Sequence, residues 1–101
     1  MTTYEVIVSP EFKKEFYKLP NKIQERVRKI LKKLKVRPTG SPLKWSLKGF
    51  YSVHFNNNHY RLIYVREEKI IKIMALHVGK RTNTFYKEFE EEIKRRGKDL
   101  S

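Results

Sequence analysis

The stretch from Phe50 to Arg66 has the least conformational choice in the chain. With Asn57-Asn58 as a two-residue turn, Phe55 faces Tyr60, Val53 faces Leu62 and Tyr51 faces Tyr64. All three apolar pairs then lie on one side of a β-hairpin, where cross-strand contacts stabilise it. The other side pairs His54 with Arg61 and Asn56 with His59, and sets Ser52 opposite Ile63. A three-residue turn would set Val53 against Arg61 and destroy this segregation, because strand side chains alternate faces with a period of two. Asparagine tolerates the positive φ of a type I′ turn, so the two-residue turn is the expectation.

The hairpin extends into a three-stranded antiparallel meander from Leu47 to Arg81. Glu67-Glu68 supplies the second turn. Lys69 to Val78 is rich in β-branched residues and apolar on both faces, as a covered strand should be. Gly79 is expected to end it, leaving Lys80 and Arg81 at the mouth of the sheet.

Ahead of the meander, Tyr4 to Val8 reads as a short strand. Ser9 then caps a helix with Pro10 at its first position, Phe12, Phe16 and Leu19 on one face, and Pro20 as its stop. Asn21 opens a second helix with Gln24 as capping-box partner, and Ile23, Val27, Ile30, Leu31 and Leu34 form its apolar stripe. The short break predicts an antiparallel helical hairpin lying across the sheet. Beyond the meander, Asn83 or Thr84 caps a last helix with Phe85, Phe89 and Ile93 on one stripe and Gly97 as its C-cap. The expected fold class is α+β in a single domain over residues 1–101. An N-terminal strand and antiparallel helical hairpin pack on the meander sheet, with a C-terminal helix.

Charge then narrows the partners. The chain carries a formal charge of +13, which points to nucleic acid or another polyanion. From Pro38 to Arg66 the only charged residues are Lys44, Lys48, Arg61 and Arg66, so the exposed face of the meander has almost no carboxylate. A merely soluble basic protein, with its lysines on solvated helix faces, is the bland alternative. No cysteine is present, which removes disulfides, thiolate nucleophiles and Cys-based zinc sites. The N-terminus does not read as a signal peptide and no apolar run approaches membrane-spanning length, so no membrane partner and a cytoplasmic location are expected.

Outside the helices and tail the carboxylates are Glu5, Glu67 and Glu68, too few and too tightly turned for paired-carboxylate or two-metal hydrolysis. His54, His59 and His77 have no acid near them in this reading, so neither a metal nor a cofactor is expected. RNA transesterification does suit a basic site free of carboxylates. The 2′-hydroxyl already adjoins the phosphorus, and the protein need only align it, offset phosphate charge and move protons. Arg61 offers the guanidinium fork, His54 beside it a proton acceptor, and Tyr86 a surface for a base. Lys44, Lys48 and Lys80 are candidate nucleic-acid contacts. Each has a structural alternative: His54 as an ordinary strand histidine, Arg61 in an ion pair, Tyr86 as core packing of the last helix.

The run Tyr60-Arg61-Leu62-Ile63-Tyr64 after a polar turn, then Val78-Gly79-Lys80-Arg81 with Tyr86 beyond, resembles the RelE toxins of the RelE/ParE superfamily. The order of elements agrees over nearly the whole chain. The resemblance implies a ribosome-dependent endoribonuclease that cuts mRNA in the A site and is held inactive by a cognate antitoxin. It implies that Arg61 and Arg81 hold the scissile phosphate, Arg81 also donating a proton, and that Tyr86 stacks on the mRNA. The spacing from Arg81 to Tyr86 is one residue shorter than the family's. Ser52 and His54 stand where RelE proteins carry lysines, one of them the general base, which leaves His54 or Lys48 for that role. Two other functions fit a basic domain of this kind: a ParE-like inhibitor of DNA gyrase, and a non-catalytic RNA- or ribosome-binding module.

Overall fold

A computed structural model describes residues 3–100, as backbone alone at 46 and 96–100. Eight elements follow one another: β1 (Glu5–Val8), α1 (Pro10–Tyr17), α2 (Asn21–Val36), β2 (Ser41–Pro42), β3 (Phe50–Phe55), β4 (Tyr60–Glu67), β5 (Lys72–Lys80) and α3 (Phe85–Leu100). A single 3-10 turn, Trp45–Leu47, lies between β2 and β3.

The predicted hairpin register is the observed one. Phe55 pairs with Tyr60, Val53 with Leu62, Tyr51 with Tyr64 and His54 with Arg61. Asn57 and Asn58 take φ of 56° and 69°, as a type I′ turn requires, and His59 N–H donates to the Asn56 carbonyl at 3.1 Å.

The sheet is wider than the expected meander: five strands in the order β1-β5-β4-β3-β2. β1 adds to the free edge of β5 in parallel, Val6 beside Ile73, and β2 adds to β3. The sequence predicts β1 as a strand without assigning its neighbour, and the composition of Arg37 to Pro42 predicts a loop where the two-residue β2 forms. A parallel pairing needs a long crossover, and its partner therefore cannot be read from local pattern. The third strand also begins later and ends later than expected. Residues 68–71 turn the corner, with Ile71 at φ 54°, and Gly79 pairs with Arg61 inside the strand rather than ending it.

A bulge displaces the β4–β5 register, with Ile63 opposite His77 but Tyr64 opposite Ala75. The extra residue, Leu76, breaks the alternation. Ile73, Ala75 and Val78 pack on one face, while Leu76 packs with Phe85 and Phe89 on the other, where His77 stacks on Phe89 and lies tilted against Phe85. Both faces of the sheet are thereby covered. α1 and α2 close the first with Phe12, Ile23, Val27 and Leu34, against Tyr64 and Leu62, which are fully buried. α3 and the 3-10 turn close the second over Ile63 and Leu47. The positive meander face, expected to be open, is in part a core.

Capping follows the sequence at α1, where Ser9 Oγ accepts from Phe12 N at 3.1 Å. It departs at α2. Pro20 precedes the first helical residue and offers no side-chain cap, and Gln24 Nε2 donates instead to the Leu19 carbonyl at 3.0 Å. Gly97 lies within α3 rather than beyond it.

Candidate active site

Four side chains meet where β3 and β4 run beneath the start of α3. The register sets His54 beside Arg61, and Phe85 and Phe89, buried against the sheet, bring Tyr86 over both. Arg61 Nη1 lies 2.6 Å from His54 Nε2 and donates to Tyr86 Oη at 2.8 Å. Tyr86 Oη also lies 2.9 Å from Ser52 Oγ, and Ser52 is buried. The Arg61 guanidinium carbon stands 5.5 Å from the Tyr86 ring centre, a cation–π distance.

An arginine can only donate, so His54 Nε2 accepts and the ring is neutral with its proton on Nδ1. The electrostatics agree. Partial burial first, then the positive charges of Arg61 and Arg81, hold the His54 pKa below its ordinary value of 6.5. Arg81 belongs to the same field and is tied in by its backbone, its N–H donating to the His59 carbonyl at 2.7 Å. Among the described residues no carboxylate forms an ion pair with Arg61 or Arg81, and Arg61 Nε is buried without a hydrogen-bond partner. A half-buried guanidinium in this condition has unspent donor capacity for an anion.

The sequence candidates divide accordingly. His54, Arg61 and Tyr86 touch, and Arg81 is electrostatically coupled to them. Tyr86 is also partly core, edge-on to Phe85 at 5.3 Å, so both of its readings are realised. Lys44 lies beside the same region, lining a cavity with Tyr86, and Lys48 is exposed at the end of the 3-10 turn. Lys80 pairs with Tyr60, a register position on the face of the helical hairpin, away from the Arg61 side.

Two features were missed in the sequence. Ser52, which the sequence places opposite Ile63 and at a position where RelE proteins carry a lysine, anchors the Tyr86 hydroxyl in the structure. The second is a separate cluster that corrects the view of the histidines as remote from acids. His77 is 5% exposed, and its Nδ1 lies 2.6 Å from Glu15 Oε2. Glu15 Oε1 accepts from Val78 N at 3.1 Å, on the edge of β5 that β1 covers only as far as Ala75, while Leu62 of β4 pairs with Val78 on the other side. Glu92 of α3 completes the group, the three ligand atoms lying within 4.8 Å of one another, a set that could also hold a cation. Burial and the Glu15 charge raise the Glu92 pKa, and the His77 charge opposes this. The cluster joins α1, β5 and α3 and does not adjoin the arginines in the hydrogen-bond network.

Residues 6–85 match the family model described as the ParE toxin of the type II toxin–antitoxin system parDE. No curated protein sequence matches significantly. Among solved structures, a chain of the toxin–antitoxin complex RelBE2 from Mycobacterium tuberculosis is 26% identical. It superposes with a TM-score of 0.73 over 79% of this chain and 100% of that one. A double mutant of the E. coli toxin RelE in the free state is 22% identical, with a TM-score of 0.73 over 91% of this chain and 99% of that one. The YoeB/ParE toxin from Agrobacterium tumefaciens is 13% identical, with a TM-score of 0.67 over 77% and 99%. Both of these share the fold. Among the described residues no helix is long and apolar enough to cross a membrane. With four-fifths of its length inside the family match and the same α+β architecture, the chain belongs to the ParE toxin family of type II toxin–antitoxin systems, within the RelE/ParE superfamily.

Proposed function

We propose that this toxin is a metal-independent endoribonuclease that cuts mRNA on the ribosome by attack of the RNA's own 2′-hydroxyl. The observation that carries the reading is the arginine–histidine–tyrosine contact set, with two guanidinium groups that have no carboxylate partner among the described residues. In the free protein Arg61 Nη1 occupies the His54 lone pair. A phosphate competes for that guanidinium far better than a neutral imidazole does, because charge-assisted bonds are roughly twice as strong. Substrate entry therefore draws Arg61 onto the phosphate and frees Nε2 to accept the 2′-hydroxyl proton. The 2′-oxygen bonds to phosphorus, the bond to the 5′-oxygen breaks, a proton from solvent water completes the new 5′-hydroxyl, and His54 returns the 2′-hydroxyl proton to solvent. Arg81 offsets charge at that departing oxygen, the place at which the family resemblance has it donate. The other product is a 2′,3′-cyclic phosphate.

Tyr86 orients the RNA, and Lys44 and Lys48 add sequence-independent attraction to the backbone. A protein antitoxin is the regulatory partner in this reading, supported by the RelBE2 structure, which is of a toxin–antitoxin complex. A gyrase inhibitor has no use for a neutral histidine held against an arginine that has no carboxylate partner among the described residues. The test is cleavage of mRNA on programmed ribosomes. Arg81→Ala should abolish it while ribosome binding weakens little, and normal cleavage by that variant would defeat the mechanism. Gyrase inhibition without any RNA cut would move the chain to the other branch of the superfamily.

A further inference from the structure

Trp45 is the chain's single tryptophan and stands 90% exposed. Its φ of 55° is a left-handed conformation that a bulky residue seldom adopts. Such a ring belongs in a core, and Leu47, two residues on, is in fact buried there. Trp45 instead forms one wall of a cavity of about 390 Å³ whose other walls are Pro42, Leu43, Lys44, Leu47, Tyr86 and Glu90. The void is within the usual size range of small-ligand sites. It opens beside the ring whose hydroxyl accepts from Arg61.

We propose that Trp45 is a second stacking platform, receiving an unpaired base of the RNA strand next to the nucleotide held at Tyr86. This rests on the RNA reading of the Arg61 site and adds a subsite to it. Three observations favour a base as the occupant. The segment from Pro38 to Arg66 carries lysines and arginines and no acid, so it attracts a phosphate backbone. Glu90, the one carboxylate in the wall, has its charge offset by Lys94 at 3.6 Å. The cavity is continuous with Tyr86, so consecutive nucleotides can occupy the two aromatics in turn. Aromatic stacking of this kind tolerates any base, because every base has a π-face.

A lone tryptophan makes the test direct. A single-stranded 2′-O-methyl oligoribonucleotide, which cannot be cut, is labelled with fluorescein at its 3′ end and titrated with the full chain. Anisotropy reports binding and tryptophan emission reports stacking. The two curves should coincide, with Trp45 emission quenched at saturation. Trp45→Ala should bind about tenfold more weakly, and Trp45→Phe should recover most of the loss. An oligonucleotide made abasic throughout should bind wild type and Trp45→Ala alike. Binding without quenching, or equal affinity of Trp45→Ala, would overturn the proposal while leaving ribosomal cleavage untouched. Quenching by an acidic helical peptide but not by the oligonucleotide would also overturn it, assigning the ring to a protein partner. Loss of cleavage activity in the wild-type assay, with quenching intact, would fail the nuclease reading and keep Trp45 as an RNA contact.

Discussion

His54 and Arg61 face each other across β3 and β4 with 2.6 Å between Nε2 and Nη1, and neither has a carboxylate partner among the described residues. A neutral imidazole is the only form that can accept this bond, so the pair sets its own protonation state.

That state predicts a pH profile. Burial and the two arginines lower the His54 pKa, so the free base persists below pH 6.5 and cleavage declines only at more acid pH. His54→Ala should remove the acid limb and slow single-turnover cleavage by roughly 10²- to 10⁴-fold. Arg61→Ala should move the His54 titration upward, followed by the imidazole C–H resonances in NMR. A midpoint unchanged in that variant would show that Arg61 does not act on the ring.

Ser52 and Tyr86 offer a separable measurement. Ser52→Ala removes one hydrogen bond from the Tyr86 hydroxyl and leaves the bond from Arg61. It should cost about 1 kcal/mol in stability. Tyr86→Phe loses both bonds but keeps the ring, so affinity for RNA should fall less than in Tyr86→Ala. Chemical denaturation and oligonucleotide anisotropy check the two parts.

Tyr64 is fully buried and its hydroxyl donates to the Thr39 carbonyl, anchoring the loop before β2. Burial pushes its pKa up to about 12. The unfolded phenol titrates near 10. The native state therefore keeps a proton that the unfolded chain gives up, and stability should fall as pH rises from about 10 towards 12. Tyr64→Phe should flatten that decline, read from urea midpoints at each pH.

In the Glu15–His77–Glu92 cluster the sign is reversed relative to an ordinary salt-bridged acid. The Glu92 pKa is raised, so its contribution is most favourable in acid and is lost as pH rises through the folded value. Glu92→Gln should therefore stabilise the protein at neutral pH, with the gain vanishing below pH 4. Glu15→Ala should destabilise it by about 1–3 kcal/mol, because it leaves the Val78 N–H unpaired and removes the carboxylate that stands 2.6 Å from His77 Nδ1. Thermal melts of the two variants across pH decide both.

The hairpin and its face were legible because each depends on neighbours close in sequence. Alternation of Tyr51, Val53 and Phe55 against Tyr60, Leu62 and Tyr64 admits a single register once the asparagine turn is recognised. It places His54 beside Arg61 with no further information. The Ser9 cap and the stripe of α2 are likewise local, arising from backbone donors and helical period. What the tertiary structure decided are contacts between segments whose spacing no pattern encodes. β1 chose the edge of β5, and the bulge between Ile63 and Tyr64 carried His77 to the face of Phe85 and Phe89. A bulge adds one residue without changing composition, so parity counting runs past it. Glu15 and Glu92, remote in sequence from His77, and Trp45, remote from Tyr86, were brought together by packing. Hydrophobic burial has no direction along the chain, and only the closed core selects which distant side chains become neighbours.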